Sequence, residues 1–196
     1  MPLGAFKAAL MGTAGVATET VVLLSSQTAS NSATISFTSG ITSTYGEYIF
    51  KFYNINPATD SANFTFQVNA TDGADYDDSV ITSTYFDVYH SEADGTPALE
   101  YRAANDLAQA ASFQPLSVAI GNGADESAAG ELHLFNPSST TYVKHFYGTT
   151  HYYHSADTAY SAYVGGYIND MTAIDDIQFK MSSGNMDAVI KMYGVG

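Results

Sequence analysis

The chain has 196 residues, six basic and twenty acidic, for a formal charge of −14, with 45% hydrophobic, 13% aromatic and 13% charged residues and no cysteine. That balance disfavours nucleic acid and anionic membrane surfaces as partners. The absence of cysteine removes disulfides and thiolate metal ligation, and no stretch approaches the ~20 apolar residues of a membrane helix. The length suits one well-buried domain, with a surface carried by Ser, Thr, Asn, Gly and Tyr instead of charge.

Met1 to Val16 (MPLGAFKAALMGTAGV) superficially resembles a signal peptide, but Lys7 interrupts the apolar run instead of preceding it. Residues 1–19 are read as an N-terminal arm able to lie against a neighbouring subunit, followed by a single domain over 20–196.

From Thr20 onward, apolar residues alternate with polar ones, the strand period. Strands are expected at Thr20–Ser25, Ala33–Thr38, Glu47–Asn56, Asn63–Ala70, Ser83–His90 and Ala98–Arg102. Six more follow at Pro115–Ile120, Glu131–Phe135, Thr141–Tyr147, Ala159–Ile168, Ile174–Met181 and Met186–Tyr193. In Glu47–Tyr53, the residues Tyr48, Phe50 and Phe52 share one face. In Asn63–Ala70, Phe64, Phe66 and Val68 point inward and Thr65 and Gln67 outward. Turns fall at Asn56-Pro57, Asp72-Gly73, Asp94-Gly95, Gly121-Asn122-Gly123, Asn136-Pro137 and Ser183-Gly184-Asn185. Only Ala103–Ala111 has helical composition, enough for two turns. The last two strands read as a hairpin around Ser182–Asn185 with matching apolar faces. The pentapeptide ITSTY, at Ile41–Tyr45 and Ile81–Tyr85, reads as a recurring strand start, since no third copy keeps the period. The fold class is therefore all-β: an antiparallel β-sandwich, jelly-roll-like, with a short N-terminal arm and at most one short helix.

Four features invite chemistry. Asp72, Asp75, Asp77 and Asp78 crowd one loop and could hold calcium, but the helix-loop-helix pattern would need Gly at Val80 and a carboxylate at Phe86, so a solvated acidic turn is preferred. Glu92 and Asp94 repeat the feature on a smaller scale. His145, His151 and His154 could ligate zinc or nickel, yet His151 and His154 face opposite ways in an extended strand, and half-exposed histidines are the simpler reading. Tyr142, Tyr147, Tyr152, Tyr153, Tyr160, Tyr163 and Tyr167 fit core or interface packing, or a glycan site. The sequons at Asn63 and Asn69 are the kind that arise by chance in Thr-rich strands.

The chain lacks G-x-S-x-G, and no catalytic, cofactor or metal residue is assigned. The expectation is a non-enzymatic protein.

The segments EYIFKFYNIN (Glu47–Asn56), LFNPSSTTYVKHF (Leu134–Phe146) and IDDIQFKMSSGNMDAVIKMYG (Ile174–Gly194) resemble a family of short β-rich virion proteins of marine tailed bacteriophages, FKMSSGN and IKMYG being the most specific parts. The resemblance implies a structural component of the virion, among tail-fibre and capsid-associated proteins, with no catalytic residues to carry over. One compact domain without a shaft suits a docked subunit, expected as a jelly-roll trimer of the capsid-decoration or cement type bound to other virion proteins. The alternative is a tail-fibre receptor-binding module recognising a host surface glycan through Tyr and Asp loops. A glycan-degrading depolymerase is the third reading.

Overall fold

A computed structural model describes residues 20–71, 73, 76, 79–95 and 97–196. The described residues form twelve strands: β1 (Val21–Ser32), β2 (Thr34–Phe37), β3 (Glu47–Pro57), β4 (Ala62–Ala70), β5 (Ile81–Ser91), β6 (Ala98–Tyr101), β7 (Gln114–Ile120), β8 (Ala128–Phe135), β9 (Lys144–His154), β10 (Thr158–Ile168), β11 (Ile174–Met181) and β12 (Met186–Val195). Each expected strand has a counterpart. The ends differ most at β1, which runs seven residues beyond Ser25, and at β9, which starts at Lys144 and continues through His154.

All pairings are antiparallel. One sheet runs β1-β12-β3-β8 and the other β7-β4-β11-β2. Setting aside β5, β6, β9 and β10 and renumbering the remaining eight gives sheet orders 1-8-3-6 and 2-7-4-5, the two interlocked Greek keys of a jelly roll. The four other strands enlarge the first sheet through β8-β9-β10-β5-β6. The two sheets join at one end through the Ile120–His154 pair. At the other, β1 bends into β2 beside Asn31, whose φ is 48° and where the register shifts. The sandwich is thus nearly closed into a barrel.

The alternation seen in the sequence builds the core. Tyr48, Phe50 and Phe52 of β3 are buried, as are Phe64 and Phe66 of β4 and Ile177 and Phe179 of β11. Phe179 is the hub, its ring centroid 5.5 Å from Phe50, 5.3 Å from Phe52 and 5.9 Å from Phe64. Edge-to-face and offset packing of this kind adds to the area that each ring removes from water.

Three expectations are corrected. First, β11 and β12 do not pair as a hairpin: β11 lies between β4 and β2, and β12 between β1 and β3. Their matching apolar faces meet across the sandwich, because the turn at Ser182–Asn185 carries the chain between layers. Gly184 there has φ 72°, and a Cβ would strike the Thr59 side chain.

Second, the polar face of β4 is not outward. Thr65, Gln67 and Asn69 are buried. A covering segment supplies the partners: the Gln67 amide donates to the carbonyls of Ser79, Ala111 and Ser112 at 3.0, 3.1 and 3.2 Å.

Third, Ala103–Ala111 is not helical. Its backbone runs along the edge of β5, with Arg102 N–H donating to Tyr85 O, Ser83 N–H to Leu107 O, and Ile81 and Ala110 exchanging both bonds. A helix would have left these strand-edge groups unpaired.

Candidate functional site

Three connectors meet at one end of the sandwich and wall an open cleft of about 860 Å³. The β2–β3 connector contributes Ser43, Tyr45 and Gly46; the β8–β9 connector contributes Asn136, Ser138, Ser139, Thr141, Tyr142 and Val143; and Met171 comes from the β10–β11 connector, with Phe135 and His145 at the flanking strand ends.

The walls are stitched together by backbone bonds. Asn136 N–H donates to Gly46 O at 2.7 Å, and Ile174 N–H donates to Pro137 O at 2.9 Å. Asn136 takes φ 45°, a left-handed conformation that asparagine tolerates, just ahead of Pro137. Ser139 Oγ then accepts the N–H groups of Thr141 and Tyr142 at 3.2 and 3.1 Å. Tyr142 is therefore held at its backbone while 74% exposed. Lys144, fully buried, donates its ammonium to the carbonyls of Asp170 at 2.8 Å and of Thr172, pinning the turn that presents Met171. Tyr45 packs edge-on against Tyr48 at 5.9 Å, and the Tyr48 hydroxyl donates to Thr42 O at 2.8 Å and accepts Thr42 N–H at 2.7 Å. Among the described residues that line the cleft, none is Asp, Glu, Lys or Arg.

The tyrosines do not form one site. Of the seven between 142 and 167, Tyr142 alone lines the cleft. Tyr147 is exposed next to it, stacked at 4.5 Å on His133, whose Nδ1 lies 2.5 Å from Glu47 Oε1 and whose Nε2 lies 3.2 Å from Glu131 Oε1. Burial opposes ionisation of Glu131, but hydrogen bonds from His133 and Lys51 outweigh it and hold this carboxyl below its usual range. Sequence reading missed His133, because Glu47 and Tyr147 come to it from other strands, β3 and β9.

Tyr152 and Tyr160 lie on the opposite face of the sheet. The Tyr160 ring stacks on Tyr89, Tyr152 and His154 at 4.9, 5.3 and 4.8 Å. They border a cavity of about 230 Å³ with buried Asp87, both of whose oxygens lie 3.0 Å from Arg102 Nε. Burial raises the Asp87 carboxyl above its usual value, with Arg102 opposing. Burial likewise pushes the Tyr152 phenol up and the His154 imidazole down. Tyr163 stacks on Phe86 at 5.1 Å on the outer face, Tyr167 contacts His145 at 6.3 Å, and Tyr153 donates to Asp157 at 3.2 Å.

The histidines are also dispersed. His145 lines the cleft, His151 bonds Ser161 on the outer face, and His154 sits in the inner stack. Among the described residues no group of three His, Asp or Glu side chains is arranged to hold a metal. Asp72, Asp75, Asp77 and Asp78 lie outside the described residues. Asp94 faces His90 at 3.4 Å on the surface. The sequon asparagines are engaged in β4: Asn63 accepts Ala119 N–H at 2.9 Å, and Asn69 is buried.

Comparison of the chain with protein-family models, curated proteins and solved structures gave no match. Most of the wall from Phe135 to His145 falls within LFNPSSTTYVKHF, one of the segments carrying the virion-protein resemblance. Tyr45 and Met171 carried no sequence signal of their own.

Proposed function

We propose that the chain is a non-enzymatic structural subunit of a tailed-phage virion, a capsid-decoration or docked appendage protein working as a homotrimer. The observation that carries this reading is the jelly roll itself, an architecture that recurs in particle-building proteins; the inference from architecture to role is by analogy. The surface supports it. Phe86, Val88, Leu99 and Tyr101 are 41, 39, 69 and 56% exposed and lie side by side on β5 and β6, and among the described residues the short β6 pairs with β5 alone. A contiguous apolar row at an unpaired edge is the kind of surface that a second copy covers.

Quantitative mass spectrometry of purified particles tests the reading. Hundreds of copies per particle indicate decoration and a handful an appendage, whereas absence from the particle removes the proposal. A tail-fibre module recognising a host surface glycan is the second reading, favoured by the cleft of hydroxyl and aromatic side chains held open between the three connectors.

A further inference from the structure

We infer that this cleft takes an uncharged saccharide, with Tyr142 as the platform on which a sugar ring lies; the inference rests on the receptor-binding reading. The lining combines hydroxyls from Ser43, Ser138, Thr141 and Tyr142, the Asn136 amide and the His145 imidazole with the apolar surfaces of Phe135 and Met171. This is the composition a sugar requires. Its C–H faces pack on rings and thioethers, while its hydroxyls exchange hydrogen bonds with groups that both donate and accept.

Charge selects among saccharides. The protein carries −14 overall, yet its cleft lining has neither the arginine or lysine that would pair with a uronate or sulfate nor the carboxylate that would pair with an amine. An acidic glycan would enter against the protein's field and meet no Lys or Arg side chain in the lining. A neutral one loses nothing to either effect.

The cleft is also prepared before any ligand arrives. Gly46, Asn136, Pro137 and Ile174 are joined through their backbones, and Ser139 fixes the chain on both sides of Thr141. Ordering costs on binding are correspondingly small. Tyr142 projects from this fixed backbone with most of its ring open.

The test is binding of the full-length protein to immobilised glycans: neutral mannan, xylan and laminarin against polygalacturonate and heparin as charged controls. Binding to a neutral glycan is expected, nearly independent of sodium chloride concentration. Tyr142→Ala should weaken it about fivefold to tenfold, Tyr142→Phe should retain most of it, and Tyr53→Ala, on β3 outside the cleft, should leave it unchanged. Binding to the charged glycans alone overturns the neutral-sugar inference and leaves the receptor-binding reading standing. Binding to none of the five overturns both. A photo-cross-linker replacing Phe6 that couples to residues 135–145 would assign the cleft to the chain's own N-terminal segment, and that outcome also overturns the inference.

Discussion

The ring of Tyr45 lies against the backbone of Gly194: a Cβ at residue 194 would stand 2.5 Å from Tyr45 Cδ2 and 2.6 Å from Cγ. One wall of the cleft thus rests on the absence of a side chain in β12. Gly194→Ala is expected to push the ring outward and cost about 1–3 kcal/mol as an overpacking change. Chemical denaturation measures the loss, and quenching of tyrosine fluorescence by acrylamide should rise in the variant. Unchanged stability and quenching would show that the ring has room to yield.

Phe179 is predicted to be the most sensitive core position. It touches rings from β2, β3 and β4, so truncation leaves a cavity that no single neighbour can fill. Phe179→Ala should lower stability by about 3–5 kcal/mol. The denaturation midpoint should fall with an unchanged slope.

Lys144 is buried for a structural purpose, the capture of the Asp170 and Thr172 carbonyls. Lys144→Met keeps the aliphatic stem and removes the donors, at an expected cost of about 2–3 kcal/mol. Hydrogen exchange should accelerate at Thr172 and Ile174. If protection there is retained, the turn is held by other contacts.

Asp87 gives a pH dependence whose sign is fixed by its surroundings. Burial raises its carboxyl in the folded protein, while Arg102 and His154 oppose and Glu100 adds to the rise. A carboxyl that holds its proton more tightly when folded contributes most at low pH, and this contribution is lost as pH rises from the ordinary aspartate range through the raised value. The stability of the native protein relative to Asp87→Asn should therefore decline across that window. A relative stability that climbs with pH would mean that Arg102 dominates instead.

The exposed row on β5 and β6 predicts assembly behaviour. Leu99→Glu should shift the protein towards monomer in light scattering coupled to size-exclusion chromatography, without loss of β circular dichroism. Deleting Met1–Val16 should leave the oligomer folded and weaken its attachment to particles.

Alternation is local, and it was legible. Tyr48, Phe50 and Phe52 declared their buried face because successive side chains on a strand point oppositely whatever the partner. Pairing is not local. The apolar faces of β11 and β12 gave the same pattern for a hairpin as for two strands in opposite layers, and only the jelly-roll path separates the two cases. The cleft was half visible: the Asn136-Pro137 turn and Tyr142 stood out, whereas Tyr45 and Met171 reach it from connectors distant in sequence, with Gly194 of β12 behind the Tyr45 ring.

The pentapeptide ITSTY marks the division most sharply. At Ile81–Tyr85 it opens β5, paired to β10 with Ile81 and Tyr85 buried. At Ile41–Tyr45 the same five residues form a turn closed by the Tyr48 hydroxyl on Thr42, and Tyr45 becomes a wall of the cleft. The sequence by itself determined an all-β chain, its twelve strands and most of their buried faces, since these follow from the period of the side chains. Which strands pair, which polar face Gln67 buries and where Tyr45 points were decided by the tertiary structure, because hydrogen-bond partners and covering segments come from distant parts of the chain.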